Sequence, residues 1–261
     1  MGKAWSHTPR WAWLWMVLGV IAVVAVVPVA LRHVETPEPS ATAGTSSAAT
    51  APGDPTQTTT PTPVLAVLGD AFTAGAGANS PDQGFVNLTA SQLGWQVQIN
   101  GQAGTGYTTP GAGVGTAVYR DRVLPVVNGR PTVVLVQGGS NDLVATQQQI
   151  QNAAIDVFTS LRTGLPDATI VALGPIATRT APQSTLLKAQ GAISAAAAAV
   201  GIAYIDPTGW LDVNNVNLFS QGFLPSQSGH QQIAQLLAPA LQAIVTPPPP
   251  APAVPVAPTT P

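Results

Sequence analysis

Residues 64–75 read VLAVLGDAFTAG: five apolar residues, Val64 to Leu68, closed by Gly69 and followed by Asp70, Ala71, Phe72, Thr73, Ala74 and Gly75. A short unbroken apolar run bounded by a glycine predicts a strand buried on both faces, and a polar, glycine-rich turn directly after it marks a strand-to-loop exit. The same pattern recurs downstream. Trp95–Ile99, Thr132–Val136, Ala168–Leu173 and Ile202–Ile205 are short, rich in Val and Ile, and bounded by Gly or Pro. Helical spacing separates them, in Ile150, Ala154, Val157, Phe158 and Leu161 and again in Ile233, Leu236, Leu237, Leu241 and Ile244. Asp142, Ser226 and Gly164 are candidate helix-boundary residues. Strand and helix alternating over residues 64–246 predict an α/β domain, a three-layer α/β/α sandwich around a central parallel sheet. In such sheets chemistry gathers beyond the carboxyl ends of the strands.

The flanks differ in kind. Trp11–Leu31 (WAWLWMVLGVIAVVAVVPVAL) carries no charge. At about 1.5 Å per residue it covers roughly 30 Å, enough to cross a bilayer as a transmembrane helix. Trp5, Trp11, Trp13 and Trp15 cluster at one end, and Lys3 and Arg10 precede the run while Glu35 and Glu38 follow Arg32. The charge asymmetry predicts a cytoplasmic segment 1–10, a single-pass anchor at 11–31 in the cell membrane, and an extracytoplasmic remainder. The alternative is a cleaved signal peptide ending at Ala30, which would release a secreted protein. Residues 32–63 are rich in Pro, Thr and Ser and have almost nothing to bury, so they predict a linker; 247–261 (PPPPAPAVPVAPTTP) predict a disordered tail.

Composition removes several functions. The 261 residues contain no Cys, so there is no disulfide framework, thiolate metal cage or cysteine nucleophile. A net charge of −2 with nine Lys and Arg argues against nucleic-acid binding. Within 64–246 there is no Glu, His230 is the one histidine, and the aspartates are scattered, so no metal or other cofactor is expected. Gly104-Thr105-Gly106 lacks the length and the lysine of a phosphate loop.

Four segments follow the predicted strands or open the last helix: Gly69–Gly75, the run Asn100-Gly101-Gln102-Ala103-Gly104-Thr105-Gly106-Tyr107, Gly138-Gly139-Ser140-Asn141-Asp142, and Gln221-Gly222-Phe223-Leu224-Pro225-Ser226-Gln227-Ser228-Gly229-His230. Singly each is ordinary turn chemistry. In this order they resemble the four blocks of the SGNH (GDSL-type) hydrolases, particularly envelope-associated actinobacterial members, over 64–246. The resemblance implies a nucleophilic serine at position 71, which here is Ala71. It implies an oxyanion donor at the Gly104 N–H and a second in the side-chain amide of Asn141. Matching Pro225-Ser226 and Gly229-His230 puts the family's acid at Gln221 and its histidine at Leu224.

Acyl transfer of this kind needs an oxygen nucleophile, a base and a carboxylate to orient the base. Ala71, Leu224 and Gln221 supply none of these, so the chain reads as a pseudoenzyme. Its expected role is a binding or accessory module in cell-envelope glycan or lipid acyl metabolism, with an acylated glycan or lipid as ligand and envelope acyl-modification proteins as neighbours. A rewired esterase, lipase or acyltransferase of the same family and a structural envelope protein are the alternatives. His230 is a candidate displaced base, although a surface or helix-terminal histidine is the simpler reading. Thr73 and Ser140 are hydroxyls without an evident base, and Asp70 and Asp142 read as loop braces.

Overall fold

The computed structural model describes residues 61–246. The expected anchor at 11–31, the linker up to residue 60 and the tail from 247 lie outside them, and among the described residues no helix is long and apolar enough to cross a membrane.

Five parallel strands form one sheet: β1 (Val64–Gly69), β2 (Gln96–Gly101), β3 (Val133–Gln137), β4 (Thr169–Leu173) and β5 (Ala203–Ile205), in the order β2-β1-β3-β4-β5. The pairings run Leu65 to Val97 and Val133, Val133 to Thr169, and Val171 to Ala203. All five predicted strands are therefore present. The expectation that each is buried holds for the centre and fails at the rim. β1 and β3 are almost wholly buried, whereas β2 has no fully buried position, and Ile99 is 41% exposed. β2 is an edge strand, and Gln96 and Gln98 provide the polar positions that an edge tolerates.

Helices α1 (Phe85–Leu93), α2 (Val123–Asn128), α3 (Gln147–Gly164), α4 (Gln183–Val200) and α5 (Gln227–Val245) cover the sheet. Alternate residues of each strand feed two cores. Ala66, Leu68, Val134 and Val136 pack with α3 and α4 through Ile150, Phe158, Ala192 and Ile193, while Leu65, Val67, Val133 and Leu135 pack with α1 and α5 through Phe85, Val86, Ile233 and Leu237. That division is the three-layer sandwich. The α3 stripe of Ile150, Ala154, Val157, Phe158 and Leu161 is buried as its spacing predicts. Its N-cap is Thr146, in a reciprocal capping box with Gln149, and not Asp142. Ser226 does cap α5, accepting from the Gly229 N–H. Helix α4 escaped the periodicity because its buried stripe is mostly alanine, Ala189, Ala192, Ala196 and Ala197, on a helix with alanine on its other face as well.

The order β2-β1-β3 makes β1 the point from which the chain winds in both directions. The crevice at a switch point of this kind lies outside the carboxyl ends of the neighbouring strands. The loops after β1 and β3 therefore face each other.

Candidate active site

A cavity of about 440 Å³ opens at that crevice. The loop after β1 contributes Asp70, Ala71, Phe72 and Ala76; the loop after β2 contributes Ala103 and Gly104; the loop after β3 contributes Ser140, Asn141 and Leu143. Thr178, Thr180, Ala181 and Pro182, after β4, form another wall, and Phe223 and Leu224 complete it. Those two come from a small antiparallel hairpin, β6 (Phe219–Ser220) and β7 (Leu224–Pro225). Gly77 packs so closely under this hairpin that a Cβ there would meet Leu224 Cβ at 2.9 Å, which fixes Leu224 against the cavity. A second groove of about 340 Å³ adjoins the first through Thr178 and Ala181.

Six of the positions named in the sequence thus converge: Asp70, Ala71, Gly104, Ser140, Asn141 and Leu224. Gln221 does not. It is exposed on the hairpin turn with φ +52° and is not part of the cavity wall.

The polar groups are arranged around Asp70, which is 1% exposed. Its Oδ1 accepts from the Phe72 N–H at 2.9 Å, and its Oδ2 lies 3.4 Å from Ser140 Oγ and 3.3 Å from Asn141 Nδ2. Gln137, with its amide nitrogen turned inward, donates to Thr73 Oγ1 at 2.8 Å and to Asp70 Oδ1 at 3.1 Å. Burial pushes the Asp70 carboxyl up to about 6; the Phe72 and Ser140 hydrogen bonds oppose that rise, and the Asp142 charge adds to it. Asp142 is buried and accepts from the Tyr107 and Thr108 N–H groups and the Thr108 hydroxyl, binding the loop after β2 to the loop after β3. Both aspartates do brace loops, and Asp70 also lines the cavity.

Asn141 differs from the simple expectation of a free amide. Its Nδ2 donates to Thr105 O at 2.9 Å as well as facing Asp70. Both amide hydrogens therefore have partners within the protein. The N–H groups of Ala71 and Gly104, by contrast, have no acceptor among the described residues. Gly104 lines the cavity and sits at φ +72°, a conformation that favours glycine.

One residue that the sequence did not single out holds these loops in register. Arg122 is 4% exposed; its guanidinium donates to Gly69 O at 3.0 Å, Thr105 Oγ1 at 2.9 Å, and both the carbonyl and the side chain of Asn100. It also lies over the Tyr119 ring, 5.4 Å from the centroid. One side chain thus ties the ends of β1 and β2 together beneath Ala71 and Gly104. Nothing in its flanking sequence, Tyr119-Arg120-Asp121-Arg122, separates it from a solvated basic residue.

His230 is helix-terminal, as one reading expected, but it is neither at the surface nor free to serve as a displaced base. It is wholly buried, not a surface residue, in the first turn of α5. The Phe85 N–H donates to Nδ1 at 3.1 Å, so Nε2 carries the proton and donates to Ala76 O at 3.0 Å. The ring stacks on Phe85 with centroids 6.0 Å apart, and burial lowers its pKa. With both nitrogens engaged and no share in the cavity wall, it braces the β1 loop against α1 and has no lone pair for a displaced base. Thr73 is likewise buried on Gln137, away from the cavity. Among the described residues no three His, Cys, Asp or Glu side chains lie close enough to share a metal ion.

A 2-1-3-4-5 parallel sheet with helices on both faces and a cavity at its switch point is an SGNH/flavodoxin-like α/β fold. The sequence profile of the GDSL-like lipase/acylhydrolase family matches residues 67–232, and the chain belongs to that family. No curated protein matches it by sequence. Among solved structures it is similar to a family two carbohydrate esterase from Clostridium thermocellum in complex with cellohexaose, at 18% identity and TM-score 0.59, over 71% of this chain and 66% of that one. A carbohydrate acetylesterase from Sinorhizobium meliloti matches at 12% identity and TM-score 0.59, over 69% and 99% of the two chains. A lipase/acylhydrolase from Enterococcus faecalis matches at 16% and 0.56, over 69% and 96%. At these identities the likeness is one of fold.

Proposed function

We propose that the domain binds an acylated ligand, an acetylated glycan or a lipid, without the family's hydrolytic route, as the extracytoplasmic head of a membrane-tethered accessory protein in envelope acyl metabolism. The observation that carries this reading is a walled cavity in which the Ala71 and Gly104 N–H groups remain unpaired while the side chains of Ala71 and Leu224 leave its floor apolar. Two unpaired N–H donors on one cavity wall suit a carbonyl oxygen, and a methyl or acyl chain suits the surrounding Phe72, Ala76, Leu143 and Phe223. Without a serine at 71 or a histidine at 224, the donors alone would leave roughly 10³–10⁴-fold acceleration over water, by comparison with disabled serine proteases. The carbohydrate esterases among the similar structures favour an acetylated sugar as the first ligand to test.

The test is calorimetry on the full chain with acetylated cello-oligosaccharides, with the deacetylated sugars as control. Binding of the acetylated form alone is expected, and Ala71→Phe, which fills the cavity floor, should abolish it. Equal affinity for both sugars, or no effect of Ala71→Phe, would refute acyl recognition at this site. The membrane tether rests on 11–31 and the envelope setting on the linker that follows it.

A further inference from the structure

We propose that Ser140 is an acyl acceptor, taking an acyl group from a carboxylic ester held in the cavity, with Asp70 as the base. The inference rests on the proposed binding of acylated ligands at the same site and adds a covalent step. Ser140 is half-buried and lines the cavity, and its Oγ faces Asp70 Oδ2 at 3.4 Å. An accessible hydroxyl with a buried carboxylate behind it is a nucleophile–base pair, and such contacts are commonly long before a substrate is bound. The third requirement, donors for the developing oxyanion, is met by the N–H groups of Ala71 and Gly104 on the same cavity wall. Thr73 has no such access because it is buried against Gln137, and the Thr178 and Thr180 hydroxyls on the wall after β4 have no carboxylate partner among the described residues.

The step balances without a co-reactant beyond the ester. Ser140 Oγ bonds to the carbonyl carbon while its proton passes to Asp70 Oδ2. The bond to the leaving oxygen breaks, and the departing alkoxide takes that proton, which restores the carboxylate and releases an alcohol. Among the described residues Asp70 is the only carboxylate on the cavity wall, and it is 1% exposed. An ester on Ser140 covers it, so water has no base at hand and the acylated chain accumulates. Burial of Asp70 to a pKa of about 6 leaves it ionised and basic at neutral pH. The ionisable groups around it are Asp142, which opposes its ionisation, and Tyr107, Tyr119 and Arg122, of which only the guanidinium is charged there.

The full chain is treated with 4-nitrophenyl acetate, the release of nitrophenol is followed, and the acetylated peptide is mapped by mass spectrometry. A burst that stops near one equivalent, with the acetyl group on Ser140, is expected. S140A should lose both, and D70N should slow the burst about tenfold or more. If D70N does not fold, the pH profile of the unaltered chain takes its place: the burst rate should rise through about pH 6 and level off above it. Acetyl groups only on lysines or other hydroxyls, an undiminished burst in S140A, or a pH-independent rate would overturn the proposal. Calorimetry on the same preparation separates the two ideas. Binding of acetylated oligosaccharide without acetyl-Ser140 removes the covalent step alone, and neither binding nor acylation removes the functional reading as well.

Discussion

His230 and Asp70 are buried ionisable groups whose burial acts on stability in opposite directions. The His230 ring is held neutral, with a folded pKa below the ordinary 6.5. As pH falls below about 6.5 the unfolded chain takes up a proton that the folded ring refuses, so stability falls toward acid through this window. Asp70 is raised from 3.8 to about 6. Its contribution is full below 3.8 and is lost as pH rises toward 6, because the unfolded carboxyl releases its proton first. A shift of about two units corresponds to something on the order of 3 kcal/mol between the two protonation states. Urea unfolding between about pH 4 and pH 7 should therefore give a shallow profile for the unaltered chain, as the two slopes offset each other. Asp70→Asn should steepen the acid-side loss, and His230→Gln should leave the Asp70 slope exposed, so that stability declines as pH rises. Two parallel mutant profiles would show that these groups do not titrate differently in the folded and unfolded states.

At the scale of elements, the site depends on how α5 meets the hairpin that carries Leu224. Gly229, in the first turn of α5, sits against Leu218 O, and a Cβ there would collide with that carbonyl and press on Pro225 at 3.1 Å. Gly229→Ala gains intrinsic helix propensity yet must push the helix off the hairpin. A net loss of about 1–3 kcal/mol in urea unfolding is expected, together with weaker ligand binding as Leu224 shifts. An alanine variant as stable as the parent would mean that the hairpin yields without cost. The same contact explains why part of this element was legible in sequence and part was not. Ser226 announces the start of α5 through its capping chemistry, and Ile233, Leu237 and Leu241 announce its buried stripe. The need for glycine at 229 comes from a chain segment folded back from residue 218, which no local pattern encodes. β2 is a similar case, since its apolar residues predict a strand but its edge position, and so its exposure, follows from the strand order.

Over the whole molecule, the cavity collects short segments that lie far apart in the chain, and the resemblance to the hydrolases can be tested as a unit. If the four blocks are correctly matched, Ala71→Ser, Gln221→Asp and Leu224→His together should give steady-state hydrolysis of short nitrophenyl esters, whereas Ala71→Ser alone should give far less. Ala71 and Leu224 already face the cavity. Gln221 lies on the exposed turn three residues before Leu224, so its replacement has to reach inward to orient the new imidazole. A folded triple variant without turnover would place the acid elsewhere than position 221.

The sequence by itself determined the strands, the main helical stripes, the sandwich class and the loops that would meet. Those features depend on local alternation of apolar runs, turn residues and caps, which any window of the chain displays. Only the tertiary structure decided what the meeting loops can do. It turned His230 into an internal brace because Phe85 and Ala76 reach its two nitrogens. It committed the Asn141 amide to Thr105 and Asp70, and made Arg122 the clamp beneath the two free N–H groups. It set a buried carboxylate behind Ser140, residues that are seventy positions apart. Hydrogen bonds and burial join groups across such separations, and their energies depend on the few ångströms between atoms that only the folded chain specifies.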